Sequence, residues 1–330
     1  MRVLVTGGTG SIGINIARRL AQEGHTVLCL SRHGGDPEAA RDTFLAPVED
    51  RVRVIAGDIG NADALERLWD QYRPTHVVHA AAITPTPEME RAMTRAILSA
   101  NLMGTVNVLD AAQHGGARRV VYISSAAVYG ETAEDLAITE DVPLNAWGLY
   151  GIAKEASEKL CAYYQELHGL VTASLRVGWV YGPMERPMRD SRKNMSLVHH
   201  CVRLALAGEE IRLVHLDHVR DWIYADDLAG AVSAVLQQDP LASPVYNCAG
   251  TRGYTHRELL DTLRRVIPLR YRQVDAPEQA NVPAALTRRR RGPVSIARLL
   301  TATSYRPGVD LETGLRMYVR WVREADAHLE

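Results

Sequence analysis

Lysine is nearly absent from this chain: of 38 basic residues only Lys154, Lys159 and Lys193 are lysine, and the other 35 are arginine. A lysine inside a motif is therefore harder to dismiss as surface filler. Cysteine is scarce as well. Cys29, Cys161, Cys201 and Cys248 are far apart, which gives neither a disulfide framework nor a zinc-ligand spacing and fits a reducing compartment. The formal net charge is only -1, so electrostatics makes no case for nucleic acid or a membrane surface as partner. No apolar run reaches the ~18 residues of a membrane span, and no leader-like segment precedes the first apolar run. The expectation is a cytoplasmic globular protein of 330 residues, 46% of them apolar, with one large domain or a core domain and a smaller companion.

The most informative stretch is Tyr150-Gly-Ile-Ala-Lys154. At spacing i, i+4 on a helix, phenol and ammonium share a face one turn apart. A free phenol ionises near ~10, too high for a base at neutral pH. A fixed positive charge beside it favours the phenolate. A tyrosine tuned in this way can exchange a proton with a substrate hydroxyl. Alone, the pair is common on surface helices. Its company gives it weight.

That company begins with the apolar Arg2-Val-Leu-Val5, followed by Thr6-Gly7-Gly8-Thr9-Gly10-Ser11-Ile12-Gly13 and a helical pattern through Ile16 and Leu20. Glycines 7, 10 and 13 permit a tight turn, a close approach of backbone to a pyrophosphate, and helix packing on the strand. The helix N-terminus adds N–H groups and partial positive charge. Strand before and helix after favour a dinucleotide loop over a simple turn.

Strand-like segments at 3–5, 26–30, 52–56, 76–80, 119–123 and 172–177 alternate with helical patterns at 12–22, 62–71, 89–114 and 150–167. Such βαβ alternation implies an α/β, Rossmann-type doubly wound parallel sheet, with ligands beyond the carboxyl ends of its strands. Asp58, residues 80–82, Ser124, Ser125 and Gly178 fall at those ends. After residue 180 the pattern changes. Residues 183–194 read as a loop, 197–207 and 226–237 as helices, and 311–323 as an amphipathic helix. The expected division is a dinucleotide domain over 1–180, rejoined by 222–245, and a smaller C-terminal α/β substrate region from 181–221 and 246–330. The basic run 288–291 reads as a solvated turn.

These motifs together resemble the extended short-chain dehydrogenase/reductase family, the group of NAD(P)-dependent sugar epimerases, dehydratases and reductases. The match covers nearly the whole chain. Besides the glycine loop, Gly57-Asp58-Ile59 resembles its adenine-contacting turn, and His79-Ala80-Ala81-Ala82 the segment beside the cofactor. Asn101-Leu-Met-Gly104-Thr105-Val-Asn107 resembles its supporting helix, Ser124-Ser125-Ala-Ala-Val-Tyr-Gly130 the strand end with the catalytic hydroxyl. Val180-Tyr-Gly-Pro183 and Arg220-Asp-Trp-Ile-Tyr-Ala-Asp-Asp227 also match. The resemblance implies Tyr150 as proton donor or acceptor, and Lys154 as the group that lowers its pKa and holds the nicotinamide ribose. It implies Ser125, ahead of Ser124, as hydrogen-bond partner of the reacting oxygen, and Asn101 as a support with a water or as a structural asparagine. Cofactor contacts would come from Gly7, Gly10, Ser11, Ile12, Gly13, Ser31, Arg32, Asp58, Ile59, Ala80, Ala81, Ala82, Ser124, Tyr150, Lys154, Val177 and Val180. No metal is implied. The implied homodimer would form through the helices at 89–114 and 150–167.

Departures from the family pattern shape the remaining expectations. Strand two ends in Leu30-Ser31-Arg32 with no acidic residue for a ribose hydroxyl, and Arg32 could pair with a 2′-phosphate. That favours NADP over NAD. Ser125-Ala126-Ala127 stands where the dehydratase branch has Thr-Asp-Glu, which argues against dehydration. Trp179 and the glycine-free run Leu213–Val219 depart from nucleotide-sugar epimerases. A substrate pocket would draw on Thr84, Ser125, Trp147, Trp179, Met184, Asn194, Met195 and Arg220. Arg186, Arg189, Arg192 and Arg220 suggest an anionic substrate. The leading expectation is an NAD(P)-dependent oxidoreductase acting at a hydroxyl or ketone carbon of a sugar-like, anionic small molecule. A UDP-sugar 4-epimerase-like enzyme with retained NAD is the alternative, and a non-catalytic cofactor sensor the minor one.

Overall fold

Six parallel strands built from short apolar runs carry the fold: β1 (Arg2–Thr6), β2 (Thr26–Ser31), β3 (Val52–Ala56), β4 (His76–His79), β5 (Arg119–Ser125) and β6 (Thr172–Val177). A seventh, Val245–Cys248, pairs with β6, giving the order Val245–Cys248, β6, β5, β4, β1, β2, β3. The computed structural model describes residues 1–32, 34, 39–134, 136–186, 195–287 and 290–327.

Alternate side chains of one strand enter different cores, as a strand period of two requires. From β1, Val3 and Val5 pack with Ile16 and Leu20 of the first helix, Ser11–Gln22, and with Leu228 and Val232 of helix Ala225–Gln237. Leu4 points the other way, toward Leu65, Trp69, Val108 and Leu109. Covered on both faces, the sheet leaves the loops at its strand ends for chemistry. Chain order reverses beside β1, whose neighbours are β2 and β4, and a crevice opens at such a switch point.

A second core gathers helices Leu197–Leu206, His256–Val266 and Leu311–Ala327 around Val198, Leu259, Leu263, Leu315 and Tyr318. Among the described residues, three two-stranded ribbons accompany it. In one of them Trp179–Tyr181 runs parallel to Trp222–Tyr224. Asp227 fastens the C-terminal segment by accepting the N–H groups of Gly308 and Val309 at 2.9 and 3.0 Å.

The continuous helix expected at 89–114 is broken. Helices Pro87–Ala92 and Thr94–Leu98 meet at Met93, and a π-helical turn, Ser99–Met103, leads into Gly104–His114. The π turn has a local cause. The carbonyl of Asn101 accepts the hydroxyls of Thr105 and Ser157, at 2.9 and 3.2 Å, and such competition loosens the helical ladder.

Candidate active site

The first helix begins where its N-terminus meets the carboxyl end of β1. Its N-cap residue, Gly10, provides no side-chain cap, and its first turn holds no acidic residue. The positive end of the helix dipole is thus left to an anion from outside. Gly7 has a left-handed φ of 65°. A Cβ there would lie 2.8 Å from Ala81 Cα, and one on Gly13 would lie 2.2 Å from the Gly7 carbonyl oxygen. Only glycine keeps this turn closed. A dinucleotide diphosphate fits this cradle in charge and in backbone approach. Ser11 and Ile12 stand half-buried in the first turn. Asn15 ties the helix to the later Val180–Pro183 segment by donating to the Pro183 carbonyl at 2.9 Å.

A polar chain stiffens the adjoining strand ends. The Ala81 N–H donates to Thr6 Oγ1 at 3.2 Å, and Thr6 Oγ1 lies 2.7 Å from His79 Nδ1. His79 Nε2 lies 2.9 Å from Thr105 Oγ1, which donates onward to the Asn101 carbonyl. The pattern assigns a neutral His79 carrying its proton on Nε2. Burial, reinforced by the nearby Lys154 charge, pushes this imidazole down to about 3. Asn101 is buried, and its side-chain amide accepts from Ile83 N–H at 2.7 Å and donates to Ile83 O at 2.8 Å. It positions the 80–83 segment by gripping its backbone.

The tyrosine helix, Gly148–His168, places Lys154 fully inside. Its ammonium donates to the Ile123 carbonyl at 2.6 Å. It sits 4.6 Å from the Tyr122 ring centre and 5.6 Å from that of Tyr150. Burial lowers Lys154 to about 7, a loss that Glu158, one turn further on, opposes. Glu158 also accepts the Ser124 hydroxyl at 2.5 Å and pairs with Arg176 at 2.8 Å. The two serines at the end of β5 are therefore distinct. Ser124 faces inward to this ion pair. The Ser125 hydroxyl accepts the Ala127 N–H at 3.1 Å, which leaves its own proton for another oxygen.

The remaining expected residues scatter more. Ser31 accepts the Thr9 hydroxyl at 2.8 Å, Arg32 is exposed, and exposed Asp58 closes its own turn by accepting Gly60 N–H at 2.8 Å. Ile59 packs under Gly104, while Val177 and half-buried Val180 line the end of β6 and the strand after it. Ala80 and Ala82 are half-buried beside Ala81. Thr84 is exposed, and Trp147, the N-cap of the tyrosine helix, is 75% exposed. Met184 instead packs in the main core, with φ 63°, and Met195 is buried. Asn194, Arg189 and Arg192 lie outside the described residues.

Arg220 is 3% exposed and its guanidinium stacks over Trp179 at 5.1 Å. Burial, and then repulsion from Arg291, lowers it to about 10. Arg291 reaches inward to the Ala126 carbonyl, one residue past Ser125. Reading the 288–291 run as a solvated turn hid this residue; Arg288 and Arg289 lie outside the described residues. Glu158 had a legible signal, being four residues beyond Lys154.

Comparison with known proteins agrees with this architecture. Over 340 residues the chain is 28% identical to UDP-glucuronate 4-epimerase 1 of Arabidopsis thaliana, covering 97% of this chain and 76% of the relative. It is 27% identical over 298 residues to the UDP-glucose 4-epimerase of Lactobacillus helveticus, covering 87% and 88%. The crystal structure of Thermus thermophilus UDP-glucose 4-epimerase in complex with NAD superposes with a TM-score of 0.80 at 28% identity, covering 98% and 100%. Residues 3–249 match the model of the NAD dependent epimerase/dehydratase family. With the glycine cradle, the Tyr150–Lys154 helix and the parallel sheet in place, the chain is an enzyme of that family, within the extended short-chain dehydrogenase/reductases.

Proposed function

We propose that this enzyme is a nucleotide-sugar 4-epimerase that keeps NAD bound and inverts one hydroxyl-bearing carbon of a UDP-linked sugar. The observation that carries the substrate class is the likeness, over 97% of the chain, to UDP-glucuronate 4-epimerase 1, and the reach of Arg291 to the Ala126 carbonyl, one residue past Ser125, agrees with it. Arg220, lowered first by burial and then by Arg291, donates to the Val219 and Thr287 carbonyls and holds cationic character in this part of the site. A diphosphate linker suits such cationic surroundings, and the names of the relatives, UDP-glucuronate and UDP-glucose 4-epimerases, support it. NAD is favoured over NADP because the Thermus thermophilus relative holds NAD. Exposed Arg32 is left without a role in this reading.

A dinucleotide held by the glycine cradle would supply the hydride chemistry at the sugar carbon. Tyr150 moves the proton at the sugar hydroxyl. Ser125 donates a hydrogen bond to the same oxygen. Lys154, held on Ile123 O, favours the phenolate that takes this proton and is regenerated when the proton returns. Asn101 positions the strand end beside them. Exposed Met103, Ile152 and Tyr163, on the helices flanking the site, support a homodimer through those faces. The four cysteines, free and buried, suit a cytoplasmic setting. The divided domain plan, 1–180 with 222–245 and the rest as substrate region, remains our reading, with the returning part extended through Cys248.

The test is to purify the protein, release its dinucleotide and assay UDP-glucose and UDP-glucuronic acid. The expected result is stoichiometric NAD, interconversion of 4-epimers, and no net change at 340 nm. Tyr150→Phe should lower kcat by about 10²–10⁴-fold while NAD stays bound. Arg291→Met should raise KM more than it lowers kcat. Stoichiometric consumption of added NADPH with a ketone would overturn the epimerase reading.

A further inference from the structure

We propose that Glu90 is a positioning residue for Tyr150, capping the tyrosine helix from a neighbouring helix and setting where the phenol stands. This rests on Tyr150 being the proton-transfer group. Four observations converge. Glu90 Oε1 accepts the Leu149 N–H at 2.8 Å, one residue before Tyr150. The tyrosine helix has no cap of its own: Trp147 contributes no side-chain bond, and its first turn contains no acidic residue. Exposed first-turn N–H groups call for an acceptor, and a carboxylate there also complements the dipole. Gly148 then has a left-handed φ of 78°, and a Cβ on it would stand 3.1 Å from Glu90 Oε1. The glycine leaves room for the carboxylate. Finally, the Leu149 side chain packs on Ile83, Met89 and Ile97.

Leu149 is thus held twice, by its N–H on Glu90 and by its side chain on Ile83. Ile83 is itself gripped through its backbone by Asn101. Glu90 is anchored in turn, since its N–H donates to the Thr86 carbonyl and its carbonyl accepts the Thr94 hydroxyl at 2.8 Å. The chain Asn101–Ile83–Leu149, closed by Glu90, sets the start of the tyrosine helix against the segment that follows β4. Without the carboxylate the first turn can fray, and Tyr150 sits on that turn.

The experiment compares Glu90→Ala, Glu90→Gln and Tyr150→Phe in the NAD-loaded enzyme, measuring kcat, KM and bound dinucleotide. Glu90→Ala should lower kcat by about 10–100-fold, the effect of an ångström-scale misplacement, with KM and NAD content within about threefold. Glu90→Gln retains an acceptor oxygen and should recover most of the loss. Full kcat in Glu90→Ala would overturn the proposal. So would a Glu90→Gln enzyme as slow as the alanine variant, or a loss that appears in KM or in NAD content alone. An active Tyr150→Phe enzyme would instead sink the epimerase chemistry, so the two failures are separable.

Discussion

Replacing Lys154 by methionine should separate stability from catalysis. The side chain is 3% exposed, and its ammonium falls from an ordinary 10.5 to about 7, chiefly because it is buried. At about 1.36 kcal/mol per pH unit that corresponds to roughly 5 kcal/mol of disfavoured protonation. The sign follows from linkage. Below pH 7 both folded and unfolded chains hold the proton, and the folded state bears the full penalty. Between pH 7 and 10.5 only the unfolded chain stays charged, so stability rises with pH until the penalty is gone. Methionine fills similar volume without a charge. It forfeits the hydrogen bond to Ile123 O, at about 1–2 kcal/mol. The net gain at pH 6 is about 3 kcal/mol, shrinking to nothing, or to a small loss, by pH 10. Urea unfolding of both proteins at pH 6, 8 and 10 measures this, and a parallel assay should find kcat down by about 10²-fold or more. A variant that is less stable at pH 6, or whose stability difference does not vary with pH, would refute the reasoning.

Two further outcomes follow from the same physics. Burial holds His79 and His256 each down to about 3. Their unfolded forms take a proton near 6.5, so the stability they confer is complete above that pH and is lost as pH falls. At pH 4.5 each accounts for about 3 kcal/mol, and His256→Asn should flatten the fall of the urea midpoint between pH 6.5 and 4.5. Gly13→Ala forces the Gly7 carbonyl away from a contact of 2.2 Å; the protein should purify with little bound NAD, read from its absorbance ratio, and lose about 3 kcal/mol of stability.

Much of the candidate site was legible because its pattern is local. Tyr150 and Lys154 are one turn apart on a helix, and the glycine turn adjoins its strand and its helix in sequence. The ends of β3 and β6 could be placed because apolar runs bounded by turn residues specify buried parallel strands. What stayed hidden depends on partners distant in sequence. Val245–Cys248 is four residues long and follows Pro244, so only β6 makes it a strand. The π turn at Asn101 arises from side chains competing for a carbonyl, and the break at Met93 lies where the Thr94 hydroxyl takes the Glu90 carbonyl, neither of which periodicity registers. Arg291 looked like one more solvated arginine until Ala126 and Arg220 stood beside it. Glu90 takes its meaning from Leu149, 59 residues away.

The late arrival of Val245–Cys248 in the sheet has a practical result for anyone wishing to graft a new pocket onto this enzyme. A fragment ended near residue 180 would bare the flank of β6 and strip Leu228 and Val232 from beneath the sheet, inviting association through an open edge. On the domain division proposed above, chimeras would exchange two separate inserts, one before Trp222 and one after Cys248, and keep Asp227 matched to the loop at Gly308 and Val309.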